Sequence, residues 1–181
     1  MQLAIHTPET APEAAKPILD GIARDLGRIP NMAATVASSP ALLSAFDGLR
    51  RAVGSGKLDP VAREAAGLAV GVAVDNQYGV AFHSTVLAGL GVDDAEIEQM
   101  RAGEAPSDAK LAAAYDLARR IVLDRGKVDD DAVAVATAAG YNTAEILEIV
   151  AECTFASLVG TMDNLAGRVE LDAFLVPRAW S

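Results

Sequence analysis

Residues 59–91 read DPVAREAAGLAVGVAVDNQYGVAFHSTVLAGLG, and this stretch predicts two consecutive helices. The pair Asp59-Pro60 is typical of a helix start, because an aspartate caps free backbone amides and proline suits the first turn. The second helix is expected to run from about Tyr78 to Leu90 and to end at the glycines that flank Leu90. Ala and Gly dominate the first helix, which allows neighbouring backbones to pack closely. We therefore predict a central helical hairpin around which the rest of the chain is arranged.

The composition favours an all-α protein. Hydrophobic residues make up 51% of the 181 residues but aromatic residues only 4%, so the core consists mainly of short aliphatic side chains. A chain of this length suits one domain with a sizeable core. We expect residues 1–181 to form a single compact multi-helix domain. Residues 1–12 are predicted to be an extended arm, and the tail at 167–181 is expected to lie across a surface or a partner subunit.

Helix starts recur outside the hairpin. Ser39 before a proline predicts a capped helix. Asp93 with Glu96 three residues later, and Asn142 with Glu145, both have the form of a capping box, in which two side chains and two backbone amides bond reciprocally. These patterns predict further helices after each cap, consistent with a fold built from helices alone.

Charge and residue usage exclude several classes of function. The net charge of −10 disfavours nucleic acid and anionic membranes as partners. No apolar run reaches the roughly 20 residues of a membrane span, and the first residues do not resemble a secretion signal, so a cytoplasmic protein is expected. The two histidines, His6 and His83, are far apart and no Cys/His cluster or phosphate-binding glycine loop occurs, so no metal and no cofactor are predicted. The lone Cys153 lies in an apolar run and is interpreted as a core residue.

Two residues of the hairpin are candidates for chemistry. Glu64 is either an acidic residue favoured near a helix start or a buried carboxylate tuned as a general base. His83 is either a satisfied core residue or a proton shuttle near neutral pH. In a helical register Asn76, Gly79 and His83 share one face. The residues alone leave both interpretations open.

The segments LGRIPNMAATVASSPALLSAFDGL (26–49) and LDPVAREAAGLAVGVAVDNQYGVAFHSTVLAGLGV (58–92) resemble the carboxymuconolactone decarboxylase/alkylhydroperoxidase D-like superfamily. The resemblance covers a family core at residues 20–170. In the hydroperoxidase branch a Glu is followed twelve residues later by Cys-x-x-Cys, and a His follows four residues after that. Glu64 and His83 match the Glu and the His, whereas Asn76 and Gly79 occupy the cysteine positions.

The resemblance implies an all-helical fold that assembles as a homo-oligomer (a dimer, trimer or hexamer), with the site near a subunit interface. It argues against a dithiol peroxidase, because that chemistry needs a thiolate and neither Asn76 nor Gly79 provides one. The decarboxylase branch lacks the cysteine pair and acts on a cyclic lactone acid by acid–base chemistry. That branch is closer to what this sequence retains.

We therefore expect an enzyme that decarboxylates or isomerises a small lactone or organic acid. Glu64 would remove a proton next to a carbonyl and His83 would donate or relay one. Asn76 would donate a hydrogen bond to a developing oxyanion, and Tyr78, Gly79 and Phe82 would complete the binding site. Two alternatives stay open: a catalytically silent oligomer, and a redox enzyme that uses another nucleophile or a bound cofactor.

Overall fold

The computed structural model describes residues 1–181 and is built from nine α-helices, which confirms the predicted all-α fold. The helices are α1 Lys16–Leu26, α2 Asn31–Val36, α3 Pro40–Gly54, α4 Pro60–Ala73, α5 Gln77–Gly89, α6 Asp94–Arg101, α7 Ala109–Leu123, α8 Asp130–Ala138 and α9 Thr143–Ala166. Short 3-10 turns lie before α1 at Glu13–Ala15 and near the C-terminus at Val176–Arg178. No helix combines the length and the apolar character that crossing a bilayer requires.

The predicted hairpin consists of α4 and α5, and α4 lies at the centre of the molecule. It contacts α5, α6, α7 and α9. Every residue of α4 from Glu64 to Gly71 is buried. A helix surrounded in this way needs small residues, because bulky side chains on all sides would hold the neighbouring helices apart. The run of Ala and Gly in this helix meets that need.

The helix caps show one confirmed capping box and one wrong prediction. Asn142 and Glu145 form the reciprocal bonds of a capping box at the start of α9. Asp93 caps α6 by accepting a hydrogen bond from the amide of Ala95. Glu96 does not complete the box, because its carboxylate accepts a hydrogen bond from the amide of Ser107 at 2.9 Å. The loop before α7 therefore draws this carboxylate away from the helix start.

Two apolar clusters form the core, and α5 and α9 contribute to both. The first is organised around α4, α6 and α7, and the second around α1, α2 and α3. The α4–α5–α9 junction holds three of the buried charged side chains, Glu64, His83 and Glu152. This junction is the natural place to look for a functional site, because buried charges are uncommon unless they are paired.

The C-terminal tail packs on its own chain. The amide of Val169 donates to Asp163 Oδ1 at 2.8 Å, and Leu175 is fully buried. Farther along, the guanidinium of Arg101 donates to the carbonyl oxygens of Arg178 and Ala179, both at 2.9 Å. The tail therefore lies across a surface of its own chain.

Candidate functional site

Glu64 and His83 form a buried pair between α4 and α5. Oε2 of Glu64 lies 2.8 Å from Nδ1 of His83, and the side chains are only 7% and 8% exposed. The other carboxylate oxygen, Oε1, accepts two hydrogen bonds from Arg63, at 3.1 Å from Nε and 2.9 Å from Nη2. Glu64 is therefore neither a solvated helix-start residue nor an isolated buried acid. It orients the imidazole, as a carboxylate does when it fixes the ring of a catalytic histidine.

The pair favours its charged form. Burial opposes the charge on Glu64, but the hydrogen bond and the charge of His83, together with Arg63, lower the pKa of this carboxyl below its ordinary value. Burial likewise opposes the charge on His83, yet the hydrogen bond to Glu64 raises the pKa of the imidazole above its ordinary value. The two shifts have one cause, since each partner stabilises the charged form of the other.

Glu152 of α9 is a third member of the site. Its Oε1 lies 3.7 Å from Nε2 of His83, which is beyond hydrogen-bond distance, and this oxygen has no hydrogen-bond partner. The side chain is 3% exposed, and burial raises the pKa of Glu152 to about 7. A buried carboxyl that titrates near neutral pH beside an imidazole is typical of proton-transfer sites.

Sequence reasoning missed Glu152, although a feature of the sequence marks it. It is the only charged residue in the run IVAECTFASLVG (149–160), which lies within α9. An ionisable residue within a buried helix segment is a candidate functional residue. Its relation to His83 could not be predicted, because that depends on how α9 packs against α5.

Gly67 makes room for this arrangement. A Cβ atom at Gly67 would lie 2.2 Å from Cε1 of His83, 2.5 Å from its Nε2 and 2.6 Å from Oε1 of Glu152. The imidazole and the carboxylate thus lie directly on the α4 backbone. Any other residue at position 67 would displace them, and this explains why a glycine occupies the middle of a helix despite its cost in helix stability.

An apolar cavity of about 150 Å³ adjoins His83. The predicted binding residues Tyr78, Gly79 and Phe82 line it together with His83, and so does Arg50 from α3. The other lining residues are mainly apolar side chains from four regions of the chain: Leu26, Pro30, Met32, Phe46, Phe155, Ala156, Val159 and Phe174. This wall joins the hairpin to α3, α9 and the C-terminal tail, none of which the sequence could assign to the site.

Asn76 is not among the residues that line the cavity. It is the N-cap of α5, where its Oδ1 accepts a hydrogen bond from the amide of Gly79 at 2.8 Å. Its Nδ2 is buried without a partner. A Cβ at Gly79 would lie 2.2 Å from this Nδ2. The two residues at the cysteine positions are therefore interlocked, and Asn76 occupies the space that a side chain at position 79 would need.

Tyr78 is a wall residue held by the tail. Its hydroxyl donates to Oδ2 of Asp172 at 2.5 Å, and Asp172 also accepts hydrogen bonds from the amide of Asn31 at 3.2 Å. Burial, followed by the hydrogen bond to Asp172 and its charge, raises the pKa of Tyr78 far above its ordinary value. The phenol is therefore neutral across the physiological range and holds the tail against the cavity.

Cys153 does not take part in the site. Its thiol is buried, lies 3.7 Å from the carbonyl oxygen of Ala118 and is absent from the cavity wall. Burial raises the pKa of Cys153 to about 12, so the thiolate is scarce at neutral pH. This agrees with the sequence-based interpretation of Cys153 as a core residue.

Comparisons with known proteins give one family match over part of the chain. Residues 40–120 match the sequence model of the carboxymuconolactone decarboxylase family. A comparison with curated proteins finds no match.

Similar solved structures cover almost the whole chain. A peroxidase-related protein from Ralstonia eutropha JMP134 with an alkylhydroperoxidase AhpD core has a TM-score of 0.83 at 20% identity, covering 97% of this chain and 94% of its own. A peroxidase-related protein from Silicibacter sp. TM1040 has a TM-score of 0.78 at 19% identity, covering 96% and 91%. The debrominase Bmp8, as a cysteine-to-alanine variant in complex with 2,3,4-tribromopyrrole, has a TM-score of 0.79 at 17% identity, covering 98% and 95%.

These likenesses show the fold alone, and the sequence match adds a likeness to one family over residues 40–120. The match spans α4 and α5 and so contains Glu64, His83 and the two positions where the cysteines of a Cys-x-x-Cys pair would lie. The chain therefore shares the fold of these structures, and its residues 40–120 match the carboxymuconolactone decarboxylase family, with Asn76 and Gly79 at those two positions.

Proposed function

We propose that this protein is a thiol-independent acid–base enzyme that decarboxylates or isomerises a small lactone or organic acid. The observation that carries the proposal is the buried line Glu64–His83–Glu152, whose central imidazole lines an apolar cavity. A general acid or base needs both a fixed orientation and access to the substrate. Glu64 fixes the orientation of His83, and the cavity gives its imidazole access to a substrate.

The proposed proton transfers follow from the charges. Glu64 raises the pKa of His83 and so favours the imidazolium, which acts first as an acid that donates a proton to the substrate carbonyl or to the developing enolate. Glu64 stays ionised and stabilises the imidazolium, and Arg63 holds Glu64 in place. Once His83 has donated this proton, its neutral imidazole accepts the proton removed next to the substrate carbonyl, and Glu152, whose pKa is about 7, exchanges protons with Nε2 of His83. The general-base role that the sequence suggested for Glu64 passes in this proposal to His83 and Glu152.

The cavity supports a small substrate. A dry cavity of about 150 Å³ holds a molecule the size of benzene, and a lactone ring fits within that volume. The structural neighbour Bmp8 binds a five-membered ring, 2,3,4-tribromopyrrole. Tyr78, Gly79 and Phe82 supply wall contacts, while the proposed oxyanion role of Asn76 has no support from its position as a helix cap.

Thiol redox chemistry is the weaker alternative. The only cysteine, Cys153, is neither in the cavity wall nor activated, so a peroxidase mechanism of the dithiol type has no nucleophile here. A catalytically silent protein is the competing hypothesis, and it predicts that the site is a stable buried ion pair without turnover.

The experiment is deuterium exchange followed by NMR. The protein is incubated in D2O with a panel of five- and six-membered lactones and their carboxylated analogues, and incorporation of deuterium next to the carbonyl and loss of CO2 are recorded. We expect at least one compound to react with the native protein and with Cys153→Ala, and the rate to fall at least 100-fold in His83→Gln. Equal rates in the native protein and His83→Gln, or no reaction with any compound that binds, would contradict the proposal.

A further inference from the structure

The charged groups around the cavity balance one another, and on this ground we infer that the site selects an uncharged, ring-sized molecule over the corresponding carboxylate. The inference rests on the proposed function for the location of the site. It narrows the substrate class from lactones and organic acids to uncharged lactones, and of the two proposed reactions it favours isomerisation over the decarboxylation of an ionised acid.

Arg50 is the only guanidinium in the cavity wall, and it is already neutralised. Its Nε and Nη2 donate to Oδ1 of Asp47 at 2.9 and 2.7 Å, and Nη2 also donates to Oδ2 of Asp25 at 2.8 Å. Arg51 binds the same two carboxylates, at 2.8 Å from Asp47 and 3.2 Å from Asp25. Two arginines thus face two aspartates, so this group of four side chains has no net positive charge with which to hold an incoming anion.

The other end of the cavity is balanced in the same way. The charges of His83 and Arg63 face those of Glu64 and, above neutral pH, Glu152. One oxygen of Glu152 has no hydrogen-bond donor, and its neighbouring cationic group, Nε2 of His83, lies 3.7 Å away and is already paired with Glu64 through Nδ1. A second carboxylate nearby would be repelled, because like charges in a low-dielectric interior destabilise each other's ionised form.

The rest of the cavity wall does not compensate a bound anion for its lost hydration. Nine of the 13 lining residues are hydrophobic, and an ion transferred into such surroundings loses its hydration without regaining hydrogen bonds. A neutral ring of the same size loses little hydration and gains contact with Phe46, Phe82, Phe155 and Phe174. The volume of about 150 Å³ limits the ligand to one small ring.

The test compares matched pairs at pH 8, where the acids and Glu152 are ionised. Toluene and benzoate form one pair, and pyrrole and pyrrole-2-carboxylate form another; binding is measured by ligand-observed NMR titration. We expect each neutral compound to bind at least tenfold more tightly than its acid. Acids that bind as tightly as their neutral partners would overturn the inference.

Two further sets of variants test where the ring binds and what disfavours the carboxylate. Ala156→Leu and Val159→Phe both fill the cavity and should weaken toluene binding at least tenfold; unchanged binding in both, while each remains folded, would overturn the assignment of the site. Asp25→Asn leaves Arg50 and Arg51 with one counter-charge fewer, and we expect it to raise benzoate affinity several-fold while toluene affinity stays the same. Benzoate affinity that does not change would contradict the charge-balance argument.

His83→Gln separates this inference from the proposed function. The variant should keep the preference for neutral rings, because the imidazole contributes little to their binding. Selective binding in a native protein that shows no turnover would defeat the proposed chemistry alone and leave the ligand class standing.

Discussion

The imidazole of His83 lies against the backbone of Gly67, so close that a Cβ at position 67 would be 2.2 Å from its Cε1. The contact fixes the ring from the α4 side, while Glu64 fixes it from Nδ1. The position of His83 therefore depends both on the missing side chain at Gly67 and on the carboxylate of Glu64.

Gly67→Ala is the direct test of this contact. The added methyl group must displace His83 and Glu152, so we expect activity to fall at least 100-fold and the free energy of unfolding to drop by about 1–3 kcal/mol, the usual cost of overpacking. Urea denaturation and the deuterium-exchange assay measure the two effects.

Gly48→Ala is the matched control. Gly48 also lies inside a helix, but a Cβ there meets no atom within 4 Å. This variant should be stabilised by about 0.5–1 kcal/mol, because alanine is the better helix former, and should keep full activity. A loss of the same size in both variants would show that helix flexibility, and not the contact with His83, is responsible.

Replacing Glu64 should change the titration of His83. Its hydrogen bond and charge raise the pKa of the imidazole, so Glu64→Gln should lower that pKa. The protein has only two histidines, His6 and His83, and NMR resolves them once His6→Gln has assigned the signals. An unchanged His83 titration would mean that Glu64 does not control its charge.

Glu152 should make the protein less stable as the pH rises. Burial raises its pKa from 4.5 to about 7, so between these values the folded protein binds a proton that the unfolded chain has lost. Stability then falls with increasing pH across this window, by up to about 1.4 kcal/mol per pH unit for a single group.

Glu152→Gln removes that titration. Urea denaturation at pH 5, 6, 7 and 8 should give a flatter stability profile for the variant than for the native protein. His83 and Glu64 still titrate in both, so the comparison isolates Glu152. Parallel profiles would show that Glu152 does not titrate in this range.

The interlock of Asn76 and Gly79 predicts strong coupling between these positions. Gly79→Cys alone forces its Cβ against Nδ2 of Asn76, 2.2 Å away in the present geometry. The shorter side chain of Asn76→Cys relieves this clash while losing the helix cap, which costs about 1 kcal/mol. In a double-mutant cycle of unfolding free energies, we expect Gly79→Cys to cost at least about 1 kcal/mol less when position 76 is already cysteine. Additive effects would contradict the interlock.

The sequence by itself determined the helices and singled out Glu64 and His83, which the structure places in contact. Caps at Ser39, Asp59 and Asn142 are local interactions within a few residues, so their patterns predicted helix starts that the structure contains. The spacing of Glu64 and His83 was also local to the hairpin. The failed capping box at Glu96 marks the limit of such reasoning, because Ser107, eleven residues away, competes for the same carboxylate.

Only the tertiary structure decided what the site consists of. Glu152 reaches His83 because α9 packs against α4 and α5, and no local pattern encodes that distance. Phe174 joins the cavity wall because the tail folds back onto its own chain, where Tyr78 binds Asp172. The same long-range packing made Asn76 a helix cap outside the cavity wall. Local hydrogen bonds set the elements, whereas the close approach of helices distant in sequence set the pKa values, the cavity and the charge balance.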